Sequence, residues 1–362
     1  MTSVMRAAGA AIVAAVLLGG VGAGAGARQE AQQKPGGQGF SFRTSVELIN
    51  VTATVTDAQG RFVPGLTVDD FEVYEDGKLQ TISQFDSERV PVSLGIALDT
   101  SGSMMGDKIA AAQTAVNRFL YDLLGPQDEV FLYRFDSKVS LVSGWTEDRQ
   151  AVGRALGSIT PYGGTAMYDA VAAAVPLAQA GTRRKKALVL ISDGNDMSSR
   201  TDVDAVRQLI RESEVLVYAI GIDASGASPA AYPRPSSPST AGPKPPKSSP
   251  IPSAFPGGRV IAQPPPKPGT ASNSSPRRSA AEGRLNVDAL RSITDDSGGR
   301  TELIYSARDL EPATAGVANE LSRQYFLGYS TSIPKDGRWH TIEVKVRRGN
   351  YTIRARRGFI AG

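Results

Sequence analysis

The chain has 362 residues, enough for one sizeable core and one smaller unit, and its content of 41% hydrophobic and 7% aromatic residues is ordinary for a globular protein. It contains no cysteine, which excludes disulfides, thiolate metal sites, cysteine nucleophiles and a lipid anchor on an N-terminal cysteine. The formal net charge is +4, but seven basic residues and one acidic residue lie between Ala224 and Gly283, so the rest of the chain is mildly acidic and no nucleic acid partner is expected.

The first 27 residues have the features of a cleavable secretory signal peptide. Arg6 precedes a short apolar run, and the segment ends in small residues at Ala25-Gly26-Ala27. The run is too short and too rich in glycine for a membrane span, although an uncleaved N-terminal anchor is the alternative. The sequence thus predicts a secreted or periplasmic protein with no stable membrane span after cleavage, in which residues 28–44 form a flexible linker.

Residues 45–89 alternate apolar and polar side chains, which predicts an N-terminal β segment. Within it, Glu75-Asp76-Gly77-Lys78 is a predicted hairpin turn. The C-terminal residues 325–362 alternate in the same way. Because unpaired edge strands promote aggregation, we expect the N- and C-terminal strands to meet in one small β module.

Residues 90–223 alternate between two periodicities. Short runs rich in Val, Ile and Leu, such as VPVSLGIALD, EVFLYRFD, KALVLISD and EVLVYAIG, are typical of strands covered on both faces. The segments between them repeat apolar residues at helical spacing, and a helix, a strand and a helix follow over residues 284–324. This alternation predicts an α/β fold with a doubly wound, mostly parallel sheet flanked by helices. The run KVSLVSGW follows its neighbour too closely for a helical crossover and is predicted as an antiparallel edge strand.

Residues 224–283 interrupt this pattern with a basic segment rich in Pro, Ser and Gly. Such a segment buries too little apolar surface to offset its ordering entropy, so we predict a disordered or partly polyproline II insert. A solvated insert is favoured over a proline-rich ligand for another domain. Since the insert leaves the sheet after EVLVYAIGID, we also hypothesise that it controls access to the carboxyl edge of the sheet.

Three polar turns are expected at that carboxyl edge, where open α/β sheets bind ligands. The turns offer a set of hydroxyls and carboxylates, namely Asp99, Ser101, Ser103, Thr165 and Asp193. Hard oxygen donors of this kind suit Mg²⁺ or Mn²⁺. With only two carboxylates in the set, the metal would stay electrophilic, and a carboxylate from a partner would complete its shell. Helix capping and turn formation are the alternative roles of the same side chains.

The stretch Asp99-Thr100-Ser101-Gly102-Ser103 resembles the DxSxS motif of von Willebrand factor type A domains, and Thr165 and Asp193 match the other two elements of their metal-ion-dependent adhesion site. The resemblance covers roughly residues 90–324 apart from the insert. The flanking segments are similar to a secreted bacterial subgroup first described from Acidobacteria.

The resemblance implies a role for each matching residue. Ser101 and Ser103 would bind the metal directly, and Thr165 would join the shell when ligand binds. Asp99 and Asp193 would act directly or through water. Membership of the family implies adhesion or protein binding and does not name the partner.

Enzymatic chemistries lack the residues that they need. A serine hydrolase requires a histidine base, and the only histidine, His340, is remote from the motif in sequence. Nucleotide hydrolysis requires a Walker A loop, which is absent. We therefore predict a non-enzymatic, adhesion-type module that uses its metal site to bind a protein partner presenting a carboxylate. The first alternative is a structural envelope protein in which the metal only ties loops together.

The second alternative is anionic-polymer binding through a basic C-terminal hairpin over residues 340–359. Alternation places four basic side chains on one face of this hairpin, namely Lys345, Arg347, Arg354 and Arg356. A solvated strand face is favoured, since no aromatic stacking platform accompanies the charges. The sequence does not determine the oligomeric state.

Overall fold

The computed structural model describes residues 47–193, 196–223 and 285–362. The predicted signal peptide, the linker and the Pro/Ser-rich insert lie outside the described residues. The described part of the chain forms a central six-stranded sheet and two four-stranded sheets.

Fourteen strands lie within the described residues. In chain order they are β1 (Glu47–Thr56), β2 (Phe71–Glu75), β3 (Lys78–Gln80), β4 (Ile82–Asp86), β5 (Val92–Asp99), β6 (Glu129–Phe135), β7 (Val139–Thr146), β8 (Lys185–Ser192), β9 (Leu216–Ile222), β10 (Thr301–Ile304), β11 (Tyr325–Thr331), β12 (Trp339–Val346), β13 (Thr352–Arg354) and β14 (Gly358–Ile360).

Six α-helices lie in the same part of the chain, namely α1 (Asp107–Arg118), α2 (Arg149–Gly157), α3 (Met167–Gln179), α4 (Val203–Arg211), α5 (Val287–Thr294) and α6 (Leu310–Arg323). Three of them begin at a side-chain cap, where Asp148, Asp202 and Asn286 accept hydrogen bonds from backbone N–H groups three residues later. No helix among the described residues combines the length and the apolar character that a membrane span requires.

The central sheet has the strand order β10-β9-β8-β5-β6-β7. All neighbouring pairs are parallel except β6 and β7, so β7 is the antiparallel edge strand predicted from the sequence. Apolar side chains of α1, α2 and α6 cover one face of the sheet, and those of α3, α4 and α5 cover the other. The predicted doubly wound, mostly parallel α/β fold is therefore confirmed.

The N- and C-terminal strands pair with each other as predicted, in two sheets of order β13-β1-β11-β4 and β14-β12-β2-β3. β1 runs antiparallel to β11, and β2 runs antiparallel to β12. The two sheets share one apolar core, which includes Val51, Val73 and Leu327, and we call them together the β module. The predicted turn between β2 and β3 is confirmed, because Asp76 and Gly77 adopt φ angles of 47° and 76°.

The predicted basic hairpin over residues 340–359 forms only at its ends, where β12 pairs with β14, because β13 pairs with a different strand. β12 pairs with β2 and β14, whereas β13 pairs with β1 in the other sheet, where Ile353 packs against the shared apolar core. The basic side chains also meet carboxylates, with ion pairs of Lys345 with Glu343, Arg347 with Glu72 and Arg354 with Glu320. Arg356 is buried. The four basic side chains therefore do not share one exposed face, which was the premise of anionic-polymer binding through these strands.

Candidate metal centre

The predicted metal ligands lie on three loops at the carboxyl edge of the central sheet. Asp99 is the last residue of β5, and Asp193 directly follows β8, the neighbour of β5 in the sheet. Thr165 does not follow a strand, since it lies between α2 and α3. We define the Asp99 loop as residues 99–106, the Thr165 loop as residues 158–166, and the Asp193 loop as residues 193 and 196–202.

Backbone hydrogen bonds hold the Thr165 loop against the Asp99 loop. The Gly102 N–H donates to the carbonyl oxygen of Gly163 at 2.9 Å, and the Tyr162 N–H donates to that of Thr100 at 2.8 Å. Gly163 has a φ of 82°, a backbone conformation that residues other than glycine rarely adopt. These contacts hold Thr165 at the carboxyl edge of the central sheet, although Thr165 does not follow a strand of that sheet.

Asp99 is fully buried and already oriented by two donors. Its Oδ1 accepts a hydrogen bond from the Ser101 N–H at 2.8 Å, and its Oδ2 accepts one from the Ser192 hydroxyl. Burial raises the pKa of Asp99 to about 6, the hydrogen bonds from Ser192 and Ser101 oppose this rise, and the nearby Asp193 carboxylate adds to it. The side chain is thus fixed in place before any ligand arrives.

Three of the five predicted ligands form one hydrogen-bonded chain of oxygens. The hydroxyl oxygens of Ser101 and Ser103 lie 3.0 Å apart, and the Ser103 hydroxyl donates to Asp193 Oδ1 at 2.7 Å. Ser101 and Asp193 are buried, whereas Ser103 is exposed. The chain of oxygens therefore reaches from the protein interior to the surface.

Thr165 is buried next to these residues and contacts the Asp193 loop through its backbone. Its carbonyl oxygen accepts hydrogen bonds from the N–H groups of Met197 and Ser198, at 2.9 and 3.0 Å. Within the described residues, no hydrogen bond joins its hydroxyl to the other four predicted ligands. A place for Thr165 in the metal shell therefore stays a prediction.

Lys108 also belongs to this site, although the sequence analysis did not single it out. It lies in the first turn of α1, forms an ion pair with Asp193 Oδ2, and donates a hydrogen bond to the Ser103 carbonyl oxygen at 3.1 Å. The helix dipole disfavours a cation in the first turn of a helix. A lysine in the first turn of the helix that follows the predicted metal ligands was therefore a feature of the sequence that could have indicated a role for Lys108 at this site.

The contacts of Lys108 show that the residues fit a cation. Its ammonium group lies against one carboxylate and one carbonyl oxygen, and the remaining donors nearby are oxygens of the kind that Mg²⁺ and Mn²⁺ prefer. In the part of the chain that the structure describes, no three His, Cys, Asp or Glu side chains gather into a cluster. A metal at this edge would therefore depend on the serine hydroxyls as well as on the two carboxylates.

His340 lies in the β module and not on the strands that carry the metal centre. Its Nδ1 is 2.8 Å from Asp76 Oδ2, and its Nε2 is 3.2 Å from Asp336 Oδ1. The hydrogen bond to Asp76 raises the pKa of His340, partial burial lowers it, and Asp336 contributes to the rise. Both ring nitrogens of His340 therefore have partners within the β module.

The central part of the chain is similar to one family of known domains. Residues 94–195 match the family model of the von Willebrand factor type A domain, and this segment contains all five predicted ligands. The match covers less than half of the chain, and it supports the resemblance carried by the DxSxS stretch. A search of the curated proteins gives no match.

Several solved structures are also similar to this chain. BatB from Bacteroides thetaiotaomicron, described as a conserved hypothetical protein, is 20% identical over 64% of this chain and 97% of its own, with a TM-score of 0.42. A von Willebrand factor type A protein from Catenulispora acidiphila is 13% identical over 89% of this chain and 74% of its own, with a TM-score of 0.45. Proximal thread matrix protein 1 from the mussel byssus, described with a zinc-occupied MIDAS motif, is 14% identical over 68% of this chain and 50% of its own, with a TM-score of 0.45.

Proposed function

We propose that this protein is an exported, non-enzymatic binding module that holds Mg²⁺ or Mn²⁺ between the Asp99, Thr165 and Asp193 loops and contacts a carboxylate on a protein partner. The observation that carries the proposal is the chain of oxygens from Ser101 through Ser103 to Asp193. Export rests on the N-terminal sequence. We also propose that the chain belongs to the secreted bacterial subgroup that the segments on either side of its central domain resemble.

The donor set favours binding of a further carboxylate. Asp99 and Asp193 bring two negative charges, and Ser101 and Ser103 bring neutral hydroxyls. A divalent cation supplies electrophilic character toward an external carboxylate at such a site. Because Ser103 is exposed, a partner can reach the centre without opening the fold.

A purely structural metal is a weaker explanation of the same residues. The Asp99 and Thr165 loops are already joined by two backbone hydrogen bonds, and the Thr165 and Asp193 loops by two more. Lys108 also compensates the buried Asp193 carboxylate. Since the loops are connected without a metal, a role of the divalent cation in binding a partner explains these residues better than a role in holding the loops together.

Isothermal titration calorimetry with MgCl₂ and MnCl₂ tests the proposed ligands. Asp99→Ala and the double variant Ser101→Ala/Ser103→Ala are both expected to lose measurable metal binding. The first removes the buried carboxylate, and the second removes two hydroxyl donors. Ser158→Ala is the matched control, since that hydroxyl contacts only the end of α2. Metal binding that is unchanged in both site variants would contradict the assignment.

A further inference from the structure

A cavity lined by three arginines lies at the amino edge of the central sheet, away from the metal centre. Its position follows from Arg300, which directly precedes β10, a strand parallel to β9 and to the strands that end at the metal centre. α6, β13, the end of β1 and the loop after β1 surround a volume of about 540 Å³. We call it the arginine cavity, because Arg300, Arg323 and Arg354 line it.

The buried carboxylate of Glu320 orients two of these arginines. Its Oε2 accepts a hydrogen bond from Arg300 Nε at 3.0 Å, and its Oε1 accepts one from Arg354 Nη2. Arg300 also forms an ion pair with Glu302 at 2.7 Å, and Arg354 Nε donates to the Gly298 carbonyl oxygen at 3.1 Å. Both guanidinium groups are therefore held in place before a ligand arrives, which lowers the entropic cost of binding.

Arg323 is the arginine of the cavity that lacks an acidic partner. Within the described residues it forms neither an ion pair nor a hydrogen bond through its side chain, although a guanidinium group carries five N–H donors. Its Cζ lies 5.8 Å from the ring centroid of Phe62. The ion pairs of the other two arginines involve the carboxylates of Glu320 and Glu302. One positive charge is therefore left for a ligand.

A smaller cavity of about 370 Å³ adjoins the arginine cavity, since Phe62 and Arg323 line both. Besides Arg323, its lining combines four apolar side chains with two serine hydroxyls, namely Phe62, Val63, Pro64, Tyr325, Ser87 and Ser322. The Tyr325 hydroxyl donates to the Val63 carbonyl oxygen at 2.8 Å and accepts from the Leu66 N–H at 3.1 Å. These hydrogen bonds fix the tyrosine against the loop, so the apolar wall is preformed.

The geometry points to a binding site for a small organic acid with one carboxylate and an apolar body. The carboxylate pairs with Arg323 beside the fixed guanidinium groups of Arg300 and Arg354, and the apolar body occupies the smaller cavity. A single uncompensated positive charge selects a monoanion, because a dianion such as hydrogen phosphate would bring a second charge close to Glu320 and Glu302. Cavities of this size are typical of sites for small molecules. This site is separate from the metal centre and does not depend on the proposed function.

The test compares four probes with the full chain in EDTA, so that no divalent cation at the metal centre can bind a carboxylate. Saturation-transfer NMR measures phenylacetate and phenylacetamide directly, and it measures acetate and inorganic phosphate by their competition with phenylacetate. Phenylacetate is expected to bind about tenfold more tightly than each of the other three. Acetate lacks the apolar body, phenylacetamide lacks the charge, and phosphate lacks the apolar body and carries a second charge.

Variants of the arginine cavity identify where phenylacetate binds. Arg323→Gln is expected to weaken binding by about tenfold or more, because it removes the uncompensated charge. Arg348→Gln is the matched control, since Arg348 is an exposed arginine in the loop between β12 and β13. Gly316→Leu is a second test, because a Cβ atom added to Gly316 would lie 3.2 Å from Arg300 Nη2 and the side chain would crowd the cavity. Leucine favours a helix more than glycine does, so circular dichroism should show that α6 is kept.

Each result supports or overturns a part of the inference. Equal binding of phenylacetate and phenylacetamide would overturn the carboxylate contact, and equal binding of acetate and phenylacetate would overturn the role of the smaller cavity. Phosphate that binds as tightly as phenylacetate would overturn the selection of a monoanion. Phenylacetate that does not bind to the wild type, or that binds Arg323→Gln as tightly as wild type, would overturn the site itself. Calorimetry with Mg²⁺ and Mn²⁺ decides separately on the metal centre.

Discussion

Lys108 is the residue that most changes the interpretation of the metal centre. Its ammonium group pairs with the Asp193 carboxylate and with the backbone carbonyl oxygen of Ser103, and both residues are proposed metal ligands. A divalent cation that binds Asp193 must compete with this ammonium group. We therefore expect Lys108 to set the metal affinity while it stabilises the metal-free loops.

Replacing the Lys108 ammonium group is expected to have opposite effects on affinity and stability. Lys108→Met should tighten Mn²⁺ binding by about tenfold or more, since a cation next to Asp193 no longer opposes the metal. The same variant should lower the free energy of unfolding of the metal-free protein by about 1–3 kcal/mol, because the buried carboxylate loses a partner. Calorimetry and urea unfolding measure the two effects, with Lys335→Met on an exposed part of the β module as control. Equal metal affinities of Lys108→Met and wild type would show that the ammonium group does not compete.

His340 gives the β module a dependence on pH. Its pKa is raised above the ordinary value of 6.5, mainly by the hydrogen bond to Asp76. Because the folded-state pKa exceeds the unfolded one, this stabilisation is fully present below pH 6.5 and is lost as the pH rises through the folded-state pKa. Urea unfolding should show this loss in wild type and less of it in His340→Gln. Since His340 is the single histidine, its imidazole NMR signals report the pKa directly, and a titration midpoint at or below 6.5 would contradict the assigned contacts.

At the scale of elements, β5 carries Asp99 and depends on a glycine for its packing. A Cβ atom added to Gly95 would lie 2.3 Å from Cζ of Phe131, a buried residue of the neighbouring strand β6. The Phe131 ring is held in turn by edge contacts with Tyr133 and Trp145, at centroid distances of 5.7 and 4.7 Å. With any other residue at this position, the Phe131 ring would have to move for β5 to keep its place beside β6.

Gly95→Ala is expected to destabilise the fold by about 1–3 kcal/mol, because the added methyl group forces the Phe131 ring out of its place. Gly144→Ala on β7 is the matched control, since no atom lies within 4 Å of its added Cβ. Urea unfolding measures both. A second substitution, Phe131→Leu, should restore part of the lost stability in the Gly95→Ala background, and the absence of any loss in Gly95→Ala itself would refute the packing argument.

The strands of the central sheet could be predicted from the sequence because each is buried on both faces, and burial on both faces leaves an uninterrupted apolar run. The hairpin turn at Asp76 and Gly77 could also be predicted, since its φ angles require such residues. The partner of β13 could not be predicted, because alternation identifies a strand and does not specify what it pairs with. Thr165 was expected in a turn at the sheet edge. The sequence could not show how it is held there, because the backbone hydrogen bonds that do so join the loop between α2 and α3 to the distant Asp99 loop.

At the scale of the whole molecule, one buried carboxylate connects the β module to the central domain. Glu320 on α6 accepts hydrogen bonds from Thr54 on β1 at 3.2 Å and from Tyr218 on β9 at 2.9 Å. Arg300 and Arg354 also pair with it. The network joins Glu320 to residues as far as 266 positions away, so no local pattern in the sequence could indicate it.

The insert over residues 224–283 follows directly on the described residues of the central sheet, so the structure shows from which edge of the sheet it starts. β9 ends at Ile222 and runs parallel to β8, so the chain leaves the sheet at the same edge as Asp99 and Asp193. The sequence of the insert contains seven basic residues and one acidic residue. We therefore expect it to alter how fast an acidic ligand reaches the metal centre.

Deleting residues 224–283 is expected to change the association rate of a labelled peptide that carries one aspartate side chain. The rate rises if the insert shields the metal centre, and it falls in a salt-sensitive way if the basic charges attract the ligand. Stopped-flow measurements at low and high salt distinguish the two, with an uncharged Gly/Ser segment of equal length in place of the insert as control. Identical rates for wild type and the deletion at both salt concentrations would show that the insert is a passive spacer.

The central claim is that Asp99, Ser101, Ser103 and Asp193 form a site for a hard divalent cation. Anomalous diffraction from crystals of the protein grown with Mn²⁺ tests it most directly, because manganese is located independently of the protein atoms. We predict one peak about 2.1 Å from the hydroxyl oxygens of Ser101 and Ser103, with the Lys108 ammonium group displaced from Asp193. A map with no peak between these loops, in which Lys108 still pairs with Asp193, would contradict the claim.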